Sequence, residues 1–308
     1  MSRSVRSLAP AKVNLTLEVV GRRDDGYHEL RSVFATIDLA DRVRVAASKR
    51  LDVEVRPDPL EPGTPAGSEL TVRAVGSLST ATGHPPVAHI RVSKRIPVAA
   101  GLGGGSSDAG AVLRGLARVW RSDVDLGPVA LTVGSDVPFF ASGARFALIA
   151  GRGEQIRALP APQMPVWIVL VRVAARVATA DVFRALRPTE WSDGSESAAL
   201  AQAFVEERIT PATIRSHLRN DLLDAASRVC REIGEARLMA GSKGVTLALS
   251  GSGPSLFAVA DSRADALRLA RILRGQGLDA RPQELGPVGQ RAIRASAVLL
   301  PSTGGRQG

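Results

Sequence analysis

The sequence is poor in sulfur and aromatic residues. A single cysteine, Cys230, in 308 residues leaves no internal disulfide framework and fits a reducing cytoplasm, so a cytoplasmic location is expected. Its setting, ASRVCREI, reads as a helix position holding a buried thiol rather than a nucleophile. Aromatic residues are 4 % of the chain, with one tyrosine, so platforms for stacking nucleic-acid bases are scarce. The four histidines are not spaced for a metal. No stretch reaches the roughly 18 apolar residues of a membrane span. The most apolar run, Val166 to Val171, ends at Arg172 and reads as a buried strand. The opening MSRSVRSLAP is basic and lacks the apolar segment of a secretion signal.

What is present is an ordinary globular composition, 44 % hydrophobic and 23 % charged, with a formal net charge of +10. The basic residues are scattered and mostly arginine. That pattern suits a small polyanionic substrate better than a nucleic acid or a membrane surface, and neither of those is expected as a partner. The length allows two cores.

One stretch organises the chain, IPVAAGLGGGSSDAGAVLRGLARVW from Ile96 to Trp120. Gly101, Gly103, Gly104 and Gly105 lead into Ser106 and Ser107, and then into an amphipathic helix. Ala109, Val112, Leu113, Leu116 and Trp120 recur on one face of that helix. Ser106 or Ser107 is expected to cap it, and Asp108 to complement its dipole. A glycine turn feeding a helix N-terminus aims backbone N–H groups at one point, which suits a phosphate. The pattern is not a P-loop, because no lysine follows a glycine where one is needed. It is not a dinucleotide fingerprint either, because Ser106 stands where the third glycine belongs.

Around it, strands are expected at Leu8–Val20, Arg31–Ile37, Arg42–Val45, Leu51–Val55, His89–Lys94 and Arg145–Ala150, with GRGEQ as a turn. In the first of these, Val13, Leu15, Leu17 and Val19 alternate with Lys12, Asn14, Thr16 and Glu18, which places Lys12 and Asn14 on one face. Residues 57–67 read as a Pro/Gly loop and Glu69–Ala81 as a helix. The connection from Trp120 to Gly134 looks short, with about one helical turn. LPAPQMP, near Leu159–Pro165, suggests a boundary between domains at 1–160 and 161–308. Beyond it, strands are expected at Val166–Val171, Val245–Ser250, Leu256–Ala260 and Ala292–Leu300. Helices are expected at Ala180–Leu186, Ala198–Arg208, Pro211–His217, Leu222–Ala240 and Arg263–Gly275. The mixture is α+β.

The separated motifs PAKVNLTL, DDGYHEL, GLGGGSSDA, GSDVPFF and LSGSGPSLF stand in an order that resembles the GHMP kinase superfamily. The resemblance covers most of the chain. It implies a two-domain fold, with a ribosomal-protein-S5-like N-terminal domain and a ferredoxin-like C-terminal domain. It also implies an ATP-dependent kinase acting on a small-molecule alcohol, here one carrying a cytidine diphosphate, with Mg²⁺ and as a monomer or homodimer. On the same resemblance Asp136 is the catalytic base and Lys12 its partner, with Asn14 beside them. Lys94, Pro97, Val98, Ala99, Ala100, Gly101, Leu102, Gly103, Gly104, Gly105, Ser106 and Ser107 hold ATP. Tyr27, His28, Thr179 and Phe183 meet the cytidine side. Glu69 stands where the family usually has an asparagine near the adenine. Three rival readings accompany this one: a GHMP kinase for homoserine or mevalonate, a pseudoenzyme that only binds ATP, and a basic RNA-binding protein.

Overall fold

Two long strands carry the fold, β1 (Ser4–Arg22) and β2 (His28–Ala46). The computed structural model describes residues 4–56 and 69–287. The two strands pair antiparallel from Ser4 opposite Ala46 to Arg22 opposite His28, with register shifts at Pro10/Lys12, Asn14/Thr16 and Val19/Gly21. The sequence suggests two separate strands at 31–37 and 42–45. They form one, because Ala40 and Asp41 stay in the ladder opposite Pro10 and Ala9, and the register shift between Pro10 and Lys12 takes up residues 37–39.

After them come β3 (Leu51–Arg56), α1 (Glu69–Thr82), β4 (Ala88–Ser93), α2 (Gly104–Trp120), α3 (Leu126–Val133), α4 (Val137–Ser142), β5 (Phe146–Gly151) and β6 (Gln155–Leu159). The expected loop at 57–67 lies outside the described residues. Two readings need correction. The connection before Gly134 keeps an eight-residue helix, α3, capped by the Asp125 side chain on the Gly127 N–H, which is over two turns rather than one. GRGEQ is a turn whose last residue already opens β6, a strand polar enough to escape notice.

The second half runs β7 (Trp167–Arg172), α5 (Thr179–Ala185), α6 (Ser195–Val205), α7 (Pro211–His217), β8 (Arg219–Asn220), α8 (Leu223–Val229), α9 (Arg231–Gly241), β9 (Ala248–Leu249), β10 (Leu256–Ala260), α10 (Arg263–Arg274) and β11 (Asp279–Glu284). The single helix expected at 222–240 is broken at Cys230, whose extended backbone (φ −135, ψ 103) separates α8 from α9. The strand expected at 245–250 is only Ala248–Leu249. β11 escaped the sequence reading because DARPQE is polar. Pro282 is tolerated there because β11 is an edge strand among the described residues. The expected closing strand at Ala292–Leu300 lies outside the described residues.

The first sheet has the order β3-β4-β2-β1-β8, with β5 on β2 and β6 on β5. The second is antiparallel, β11-β7-β10-β9. Three of the four apolar cores among the described residues hold these layers. Val43, Val45, Ile90 and Val92 of the first sheet pack under Val75, Leu78, Leu113 and Leu116 of α1 and α2. The two sheets share a core of Val13, Leu15, Val33, Phe146, Ile168, Leu170 and Phe257, closed by Phe204 and Ile214. The far face of the second sheet, with Val169 and Val171, packs on Ile233, Leu269 and Leu273. Burying each such side chain contributes roughly 1.5–3 kcal/mol. Among the described residues no helix is long and apolar enough to cross a membrane.

Candidate active site

The glycine turn and the first strand meet at a cavity of about 1230 Å³. Residues 97–106 form one wall. Helix α2 starts at Gly104, so Ser106 and Ser107 sit inside its first turn and cap nothing. Gly103 is the N-cap, in the left-handed region at φ 68, without a side-chain cap. The first N–H groups of α2 are thus left to a ligand, as anion sites at helix termini require. Gly101, at φ 72, lies against the LSGSG turn. A Cβ there would stand 2.7 Å from the Gly253 carbonyl oxygen and closer still to that of Ser250. The Ser250 hydroxyl donates to the Gly101 carbonyl at 3.1 Å, so the two glycine turns are locked together. Ser106 lines the cavity, whereas Ser107 does not. Ser107 is 1 % exposed, and its hydroxyl has no partner among the described residues. Glu69 opens α1 and is not among the cavity's lining residues, while its neighbour Leu70 is.

Lys12 and Asp136 come together beside that turn, with the Lys12 ammonium 3.6 Å from Asp136 Oδ2. Lys12 is 4 % exposed, and its ammonium donates to Asn14 Oδ1 at 2.7 Å and lies 4.6 Å from the centre of the Phe34 ring. Burial pushes the Lys12 pKa below the usual lysine value, opposed by the Asp136 carboxylate. Asn14 Oδ1 also accepts from the Gly251 N–H at 2.8 Å, and its amide donates to Ser32 Oγ at 2.9 Å. Asn14 thus links Lys12 to the second glycine turn. Asp136 is the N-cap of α4, yet its carboxylate makes no capping bond. It is left free for chemistry at 32 % exposure. Pro138 sits in the first helical turn, where its missing N–H costs nothing, and Val137 opens the helix.

Lys94 lines the cavity, but its ammonium is not free for a nucleotide. It is held by Asp41 Oδ2 at 2.5 Å and by Asp108 Oδ2 at 2.6 Å. Asp41 Oδ1 in turn accepts from the backbone N–H groups of Arg95 and Ile96. Asp108 thus serves an ion cluster rather than the helix dipole. Burial opposes the Lys94 charge, but Asp108 and Asp41 outweigh it and raise its pKa.

The other wall carries rings. His28 stacks on Phe183 at 5.1 Å between centroids, and Trp191 meets His28 edge-on at 6.0 Å. Burial, with Arg22 nearby, lowers the His28 pKa. Tyr27 is 55 % exposed, under the Arg152 guanidinium at 5.3 Å. The Thr179 hydroxyl is spent on Ser252 Oγ at 2.9 Å. Every residue expected at the site lines this one cavity except Ser107. Sequence reading missed Ser32, Arg22, Arg152 and Trp191 on its walls and Asp41 behind it. None stands in a motif whose chemistry announces it, whereas Ser135 lies inside GSDVPFF and was within reach.

The family model "GHMP kinases N terminal domain" matches residues 69–144, and "GHMP kinases C terminal" matches residues 200–278. The 4-diphosphocytidyl-2-C-methyl-D-erythritol kinase of Brevibacillus brevis is 37 % identical over 273 residues, 87 % of this chain and 91 % of that protein. A solved 4-(cytidine 5'-diphospho)-2C-methyl-D-erythritol kinase superposes with a TM-score of 0.73 at 37 % identity, covering 92 % of this chain and all of that one. A homoserine kinase from Cytophaga hutchinsonii superposes at 0.66 with 16 % identity, covering 91 % and 94 %. That last likeness is one of fold alone.

Proposed function

The chain belongs to the GHMP kinases and, within them, to the 4-diphosphocytidyl-2-C-methyl-D-erythritol kinases, and from that premise we propose that Lys12 and Asp136 carry its phosphoryl transfer. The protein is an ATP-dependent kinase that phosphorylates the 2-hydroxyl of 4-diphosphocytidyl-2-C-methyl-D-erythritol, in the non-mevalonate route to isoprenoid precursors. The observation that carries the assignment of roles is the Lys12–Asp136 pair, set at 3.6 Å between the glycine turn and the ring-lined wall.

Asp136 takes the proton of the attacking hydroxyl as its oxygen bonds to the γ-phosphorus and the bond to the β–γ bridging oxygen breaks. Such a transition state is loose, and its stabilisation comes from positioning and charge neutralisation. Lys12 offsets the Asp136 charge and balances charge on the transferred group. Backbone N–H groups at residues 97–106 hold the nucleotide phosphates, and His28, Phe183 and Tyr27 hold the cytosine. Lys94 acts on the nucleotide only as part of its cluster with Asp41 and Asp108, and Ser107 supports the turn from behind.

Among the described residues no group of three or more His, Cys, Asp or Glu could hold a metal. Mg²⁺ needs few protein ligands when phosphates and water complete its shell. It would enter on the nucleotide and neutralise phosphate charge. The same proposal includes a division of labour between residues 1–160 and 161–308, a cytoplasmic location, and action as a monomer or homodimer without nucleic acid.

The test is ATP consumption with the cytidine diphosphate alcohol, homoserine and mevalonate side by side. Turnover with the first alone is expected, because the His28–Phe183 stack has no purpose without a nucleobase. Comparable turnover with homoserine or mevalonate would overturn the substrate assignment.

A further inference from the structure

The cluster beneath the glycine turn holds two carboxylates and one ammonium, all nearly out of water: Lys94 is 7 % exposed, Asp41 0 % and Asp108 1 %. Its place is specific, since a Cβ on Gly104, the first residue of α2, would stand 3.5 Å from the Lys94 ammonium. The charge of this cluster is therefore felt where the turn presents its N–H groups.

The two carboxylates are not equivalent. Asp41 uses both oxygens, one on Lys94 and the other on the N–H groups of Arg95 and Ile96. Asp108 uses one oxygen on Lys94, and its Oδ1 is buried with no partner among the described residues. With both ionised the cluster is −1, and with one proton it is neutral. Two buried carboxylates sharing one cation favour the protonated arrangement, and the less hydrogen-bonded group takes the proton.

We propose that Asp108 is a positioning residue that holds a proton beneath the phosphate turn and, through Lys94, couples ATP binding to that proton. Burial, followed by the neighbouring Asp41 charge, pushes Asp108 up against the pull of Lys94, to about 7. Those two are the charged groups that act on it. Lys12 and Asp136, brought by β1 and the start of α4, lie across the turn on the transfer side. Nucleotide phosphates bring negative charge toward the cluster. The neutral form therefore binds them better, binding takes up a proton, and the KM for ATP rises as pH climbs through and above 7. The inference rests on the reading that residues 97–106 hold the ATP phosphates.

The experiment is the KM for ATP from pH 6 to 8.5, at saturating alcohol substrate, for the wild-type protein and Asp108→Asn. Asparagine keeps an acceptor for Lys94 and cannot ionise. The wild-type KM relative to that of the variant is expected to rise on the order of three- to tenfold across the range, while the KM for the alcohol follows one profile in both. Parallel profiles for ATP overturn the inference and leave the kinase reading intact. A wild-type protein that consumes no ATP overturns both. If Asp108→Asn does not fold, calorimetry of ATP binding to the wild-type protein at pH 7.5 reads the same proton. It is run with excess magnesium, in two buffers of different ionisation enthalpy. Proton uptake supports the inference, and its absence overturns it.

Discussion

Lys12 illustrates how a residue becomes chemical by losing water. Alternation along β1 placed it with Asn14 on one face, and a strand lysine on such a face is ordinarily solvated. Here it is 4 % exposed, between Phe34, Asn14 and Asp136. Lys12→Ala and Asp136→Ala are each expected to lower kcat by at least ~10²-fold, as loss of an acid–base or transition-state group does. Near-wild-type turnover in steady-state assays of either would refute its role. The pH dependence has a definite sign. The lowered Lys12 pKa means the ammonium is lost, and activity with it, as pH rises through a value below 10.5. In Asp136→Asn burial remains and the opposing carboxylate is gone, so the Lys12 titration followed by NMR should move further down. An upward move would show that the Asp136 carboxylate does not favour the Lys12 ammonium.

At the scale of elements, the two glycine turns depend on each other. Gly101 and Gly83 have similar backbones, φ 72 and φ 69, yet a Cβ on Gly83 would meet nothing within 4 Å. Gly83→Ala is expected to cost about 1 kcal/mol, for its left-handed backbone alone. Gly101→Ala should cost about 2–4 kcal/mol, because it adds collision with backbone that cannot swing aside. Its KM for ATP should rise as well. Equal losses in urea denaturation would mean that the turns do not bear on each other. The sequence placed both turns but not their contact, since residues 101 and 250 meet only through the fold. The break between α8 and α9 was hidden for a similar reason. SRVCREI carries no Gly or Pro, and its extended Cys230 is set by packing.

For the whole molecule, the shared core is what holds the two sheets together. Phe204 is 1 % exposed and packs on Phe146 at 5.1 Å between ring centres. Phe204→Ala is expected to destabilise by about 3–5 kcal/mol, through lost burial and the cavity left behind. Met164→Ala, at a site 74 % exposed, should stay within about 0.5 kcal/mol. Thermal or denaturant unfolding distinguishes them, and a small loss at Phe204 would show that this core does not tie the halves together.

The sequence by itself determined the local chemistry: strand alternation in β1, the glycine turn entering α2, the GSD segment, and a family pattern that named the kinase class. These are short-range properties, written in neighbouring residues. Only the tertiary structure decided that the Lys94 ammonium is held by Asp41 and Asp108, that Ser107 faces inward, and that Trp191 and Arg152 line the cavity with His28 and Phe183. It also decided that polar β6 and β11 are strands. Each of those outcomes turns on which residues distant in sequence remove one another from water, and desolvation is set by the packed whole rather than by any stretch of the chain.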